Sequence, residues 1–156
     1  MIITYRFVRL IEDHSDALAN SLLRKVQQSS YTESYSKVPP EELKQRVYEI
    51  YRHLGEWLLE KNEADIEQRY TAIGARRAQQ NVPLSDLIWA IVLTKHNLWE
   101  FILDEAYPER TVEIVGRQEL LQLLDQFFDR AIHSAAVGYE WATEAAGIAE
   151  KSQKVN

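Results

Sequence analysis

Four histidines, His14, His53, His96 and His133, fall one on each of four long helical segments. Imidazoles that meet inside a helix bundle can hold a metal ion or a haem iron. Two of them also have a carboxylate one turn away, in Glu49-x-x-x-His53 and His96-x-x-x-Glu100, which sets two ligands on one helix face. The apolar periodicity weakens that pattern. His133 lies off the Phe127–Ala131–Ala135 stripe and follows Asp129 by four residues, as a surface ion pair does. His14 lies on its own stripe, between Leu10 and Leu18, and His96 follows Val92 and precedes Trp99, which favours burial. The reading is therefore four structural histidines, no metal site and no cofactor, with His96 the one candidate contact for haem or another small ligand.

The other chemistry-bearing types point the same way. The 24 carboxylates fall mostly on polar helix faces, as at Glu41, Glu42, Glu60, Asp65 and Glu119, where acids keep near-normal pKa values. Five scattered glycines (Gly55, Gly74, Gly116, Gly138, Gly147) cannot cradle a phosphate. No His-Glu-x-x-His and no nucleophile elbow occurs. Without cysteine there is no disulfide, thiolate ligand or thiol nucleophile. Trp57, Trp89, Trp99, Phe127 and Phe128 keep helical spacing and read as core rather than as a binding cage. No enzyme is expected.

The elements that would position these residues are helices. With 156 residues the chain fits one domain, and 46% hydrophobic against 27% charged residues is an ordinary globular balance. The first helix is expected from about Thr4 to Gln27, with an interruption offered by Asp13-His14-Ser15-Asp16. Residues 29–40 read as a loop. Pro40 opens a second helix that runs to about Lys61, and Asn62 with Asp65 caps a third that stops near Gln80. Asn81-Val82-Pro83 then ends one helix and starts the next. The fourth, from Pro83 to Glu105, is apolar on nearly every side through Leu87–Leu93 and is expected at the centre of the fold. A fifth runs from about Thr111 to Ala146, ~50 Å long at ~1.5 Å per residue. A globule of this size is about 40 Å across. Either Gly116 or Gly138 breaks that helix or its end projects. The polar tail, residues 147–156, is expected to fray.

Net charge of −6 disfavours nucleic acid, since basic pairs such as Arg24-Lys25 and Arg76-Arg77 form no stripe. The N-terminus has no long apolar core, and the longest apolar run is too short to cross a bilayer, so a cytoplasmic location away from membranes is expected.

Two segments carry a family resemblance. Arg77-Ala78-Gln79-Gln80-Asn81-Val82-Pro83-Leu84 leads into the apolar run, and Leu120-Leu121 leads through Phe127-Phe128-Asp129-Arg130-Ala131 to Tyr139. Together they resemble the N-terminal sensory domain of RsbR-type stressosome proteins, the RsbT co-antagonist family, over residues 1–146. Asn81 stands where that family usually has glycine, a mild change because asparagine also tolerates the left-handed turn. The resemblance implies an all-α, globin-like domain of about five helices that lacks haem, forms a homodimer and signals to a protein partner or output domain. It singles out Arg77, Gln80, Asn81, Pro83, Leu84, Asp129, Arg130 and Tyr139 as motif or switch candidates. No output domain follows in this sequence, so action in trans, or origin in a longer protein, is expected. Arg77 and Asp129 are candidates for an inter-helix ion pair. The competing arrangement leaves Arg77 solvated and pairs Asp129 only with His133.

Overall fold

The computed structural model describes residues 2–105 and 111–155, which contain no strand and are helical nearly throughout. The first expected helix is two. α1 (Ile2–Asp13) and α2 (Ser15–Gln28) meet at His14, which leaves helical geometry at φ −105°, ψ 15°. Its ring Nδ1 lies 2.8 Å from the Leu10 carbonyl oxygen and its ring 5.4 Å from that of Phe101. His14 is thus an exposed joint rather than part of a stripe.

The expected loop is a 3-10 segment, Ser30–Lys37, started by the Ser29 hydroxyl, which accepts from the Tyr31 amide. Thr32 anchors it by donating to the Val26 carbonyl at 2.6 Å. α3 (Pro40–Arg52) begins on its proline and ends earlier than the apolar pattern suggests. A single wide turn, Glu56–Glu60, follows. α4 (Glu63–Gln79) has the expected capping box, with Asn62 and Asp65 each accepting from the other's amide at 3.0 Å. Asn81 does take the left-handed conformation, at φ 60°. Around it the Val82 amide reaches the Arg77 carbonyl and the Asn81 amide that of Ala78, each at 3.1 Å. That pair of bonds closes a Schellman cap, and fully buried Val82 supplies its apolar contact.

α5 (Leu84–Glu105) is not surrounded on all sides as its composition suggests. It buries Leu87, Ala90, Ile91, Leu98 and Ile102, while Ile88, Trp89 and Val92 are only half-buried. The central position belongs to α6 (Thr111–Val155), which packs on α1, α4 and α5. Leu120, Leu124, Phe127, Phe128, Ala131 and Ala135 form its buried stripe.

Two glycines set how closely α4 and α6 cross. A Cβ on Gly74 would overlap the Ala135 carbonyl, and one on Gly138 would overlap the Thr71 carbonyl. Backbone therefore touches backbone at this crossing, which only glycine permits. Neither Gly116 nor Gly138 breaks α6, and residues 147–155 continue it as helix instead of beginning a separate tail. Beyond Tyr139 most of its side chains are exposed, including Trp141 at 63% and Ile148 at 69%. Residue 156 lies outside the described residues.

Candidate functional site

Arg77 sits on the core register of α4, four residues after Ile73 and seven after Tyr70, and is only 2% exposed. A charge so deeply placed must be paired and hydrogen-bonded. Its NH1 donates to Glu42 Oε1 at 3.2 Å and to Gln80 Oε1 at 2.9 Å. Gln80 Nε2 closes the ring by donating to Glu42 Oε2 at 3.0 Å, and Arg76 Nε reaches Glu42 Oε1 from outside at 3.1 Å. The guanidinium also lies 5.7 Å from the centre of the Tyr35 ring. Burial alone would raise the Glu42 carboxyl, but donors from Arg76, Arg77 and Gln80 outweigh it and hold the acid below its ordinary range. Burial pushes the Tyr35 phenol up to about 12 against the pull of Arg77, and Asp86 adds to the rise. Tyr35 is therefore a protonated donor at neutral pH.

This cluster forms one wall of a cavity of about 50 Å³ between α3, α4, α5 and α6. Ile50, Ile91 and Phe128 make its apolar side, and Arg46, Arg77 and Thr94 bring the polar groups. The Arg77 Nε–H is buried without a partner.

A second polar network ties α2 to α5 and α3. Buried Asn97 donates to the Leu18 carbonyl at 2.9 Å and to the Tyr51 hydroxyl at 3.3 Å, and it accepts from Lys25 at 2.6 Å and Ser21 at 3.2 Å. The Tyr51 hydroxyl donates to the Thr94 carbonyl at 2.9 Å, and burial drives its pKa well above the usual phenol value. Lys25 also reaches Glu100 at 2.6 Å.

The residues singled out in the sequence separate into distinct places. Arg77 and Gln80 join the buried cluster with Glu42, so Arg77 is neither solvated nor paired with Asp129. Asn81, Pro83 and Tyr139 come together instead, lining a groove of about 380 Å³ between the α4–α5 turn and the outer part of α6. Asp129 and Arg130 are exposed and share a surface depression with Glu63 and His133, where Arg130 pairs with Glu63 at 2.7 Å. Leu84 packs half-buried against the core. His96 is exposed, contrary to the burial expected from its neighbours, and does not line the cavity. The four histidines do not converge, and no group of three potential metal ligands occurs among the described residues.

Sequence reading missed Glu42, Tyr35 and Asn97. Asn97 was findable. It continues the Leu87–Ala90/Ile91–Thr94 register of an otherwise apolar helix face, where a polar side chain needs partners. Glu42 and Tyr35 carried no such signal, because their role depends on where Arg77 lands.

Comparison with known proteins finds one family. The family model described as the RsbT co-antagonist protein rsbRD N-terminal domain matches residues 12–153. No curated protein and no solved structure matches the chain. No helix among the described residues is long and apolar enough to cross a membrane.

Proposed function

Because the chain belongs to the family of RsbT co-antagonist protein RsbRD N-terminal domains, we propose that it is a non-catalytic, globin-like sensory module of stress-response signalling. In this reading it works in the cytoplasm as a homodimer and passes a signal to a protein partner or output domain through changes in helix packing. It uses neither nucleic acid nor membrane. The observation that carries the reading is α6, a single helix whose stretch from Leu120 to Gly138 packs into the core while most side chains beyond Tyr139 are exposed. A helix locked into a core at one end can convey a packing change to whatever holds its other end. Exposed Trp141 and Ile148 lie seven residues apart, on one face of that outer half.

Light scattering tests the dimer. At high micromolar concentration the mass should be that of two chains, and Trp141→Ser with Ile148→Ser should halve it. A parent protein that stays strictly monomeric overturns the dimer and, with it, this route for the signal.

A further inference from the structure

A second cavity, of about 150 Å³, lies between α2, the 3-10 segment and the start of α3. Buried Val26, Val38 and Leu43 form its floor, with half-buried Leu23 beside them. Two polar residues, Thr32 and Tyr35, are also buried in the lining, and each has its oxygen committed elsewhere. The Thr32 hydroxyl donates to the Val26 carbonyl at 2.6 Å. The Tyr35 phenol interacts with Arg77, which does not line this cavity, so Tyr35 offers the void its ring carbons. Exposed Gln27, Glu33, Ser36 and Pro40 mark where the cavity opens to solvent. Among the described residues no lysine or arginine lines it, and Glu33 brings the one formal charge, at the mouth.

Protein interiors are close-packed, and voids larger than a water molecule are few. The chain leaves this one open by its choice of side chains. The 3-10 segment breaks helical geometry at Thr32, with φ −128° and ψ 27°, and crosses from α2 to α3 largely on serines. Its large residue Tyr31 turns outward, 67% exposed and edge-on to Trp89. We propose that this cavity binds a small neutral aromatic molecule, a benzene ring carrying one short polar group. The ring lies on Val26, Val38 and Leu43, and the polar group sits at the mouth beside Gln27 and Ser36. A cavity of this volume lined by aliphatic side chains stays dry and takes one benzene-sized molecule. Such an apolar interior with a few polar groups to fix orientation is what small-ligand sites provide. Anions are excluded, because the interior supplies no cation and Glu33 opposes negative charge at the entrance. Tyr35 and Leu43 also line the cavity beside Arg77, so the ligand touches the ring whose centre lies 5.7 Å from that guanidinium. That this contact starts a signal rests on the signalling reading above. The binding site does not.

The test is titration of the 15N-labelled chain with benzyl alcohol, followed by amide chemical shifts, with sodium benzoate as the charged control. Saturable shifts centred on Val26, Thr32 and Leu43 are expected, with Kd on the order of 1 mM. Benzoate should bind at least ~5-fold more weakly. Glu33→Gln should strengthen benzoate binding and leave benzyl alcohol unchanged. Ser36→Phe sets a ring across the mouth from an exposed position, so it should abolish saturation while the melting temperature stays that of the parent. No saturation by about 50 mM, or shifts centred on Ile50 and Ile91 instead, would overturn the proposal. So would benzoate binding as tightly as benzyl alcohol, benzoate no stronger on Glu33→Gln, or undiminished binding by Ser36→Phe. A monomer in light scattering would leave this result untouched.

Discussion

The two halves of α6 are built on opposite terms. Between Leu120 and Gly138 the helix buries Phe127 and Phe128 and lets α4 come close enough for the two backbones to touch. Past Tyr139 the same helix presents Trp141 and Ile148 to solvent, and a Cβ at Gly147 would meet nothing within 4 Å. Composition alone does not separate them, since both contain aromatic, alanine and glycine residues. Neighbours do. In the inner half the buried residues are fixed by what they touch. In the outer half Trp141 and Ile148 are mostly exposed and contribute little to this chain's own core.

That contrast can be tested aromatic against aromatic. Phe128→Ala leaves a cavity in the inner half and should cost about 3–5 kcal/mol in denaturant unfolding. Trp141→Ala, thirteen residues on, should cost less than ~0.5 kcal/mol under monomeric conditions. Comparable losses would mean that the outer half folds as part of the core. Glycines sharpen the comparison further. Alanine is the better helix former by about 1 kcal/mol, yet Gly74→Ala and Gly138→Ala should destabilise by about 1–3 kcal/mol because the added methyl meets backbone rather than a movable side chain.

Charge provides a smaller effect with a defined sign. The Glu42 carboxyl is held below its ordinary value of 4.5, so its stabilisation is fully present above that value and is lost as pH falls through the lower, folded value. Glu42→Gln should therefore cost about 1 kcal/mol near neutral pH and flatten the loss of stability below pH 4.5. Parallel acid-unfolding curves for parent and variant would remove Glu42 from that role. Smallest of all is Gly147→Ala, which should leave the melting temperature unchanged while slowing amide exchange in the last turns, a local gain of a few tenths of a kcal/mol. Destabilisation there would show that the outer half is packed after all.

Much of the fold was legible because it rests on local chemistry. Asn62 with Asp65, Pro40, and Asn81 ahead of Pro83 announce helix ends through groups within four residues of one another, and each does what its type suggests. The interruption at Asp13–Asp16 was readable for the same reason. What local chemistry cannot report is which helix lies opposite. α5 looks central by composition, but its Trp89 meets the ring of Tyr31 in the 3-10 segment edge-on, at 5.3 Å, and stays half-buried. The glycines at 74 and 138 look unremarkable until their helices cross. For the site the divide is similar. Arg77 was marked by resemblance, while its partner Glu42, 35 residues earlier, read as one more acid on a polar helix face. His96 was misplaced because Val92 and Trp99, the neighbours used to judge it, are themselves only partly covered.

The unbroken run of α6 through Gly138 has a mechanical corollary. Seventeen residues separate Gly138 from Val155, so the outer arm is ~25 Å long at ~1.5 Å per residue. With the crossing as fulcrum, a tilt of roughly 5° sweeps the tip through roughly 2 Å, comparable to the helix displacements that switch other proteins between states. The fulcrum cannot slip, because a sliding motion would drive one backbone into the other at Gly74 and Gly138. Rotation about that point would therefore displace the tip of the arm far more than the crossing itself.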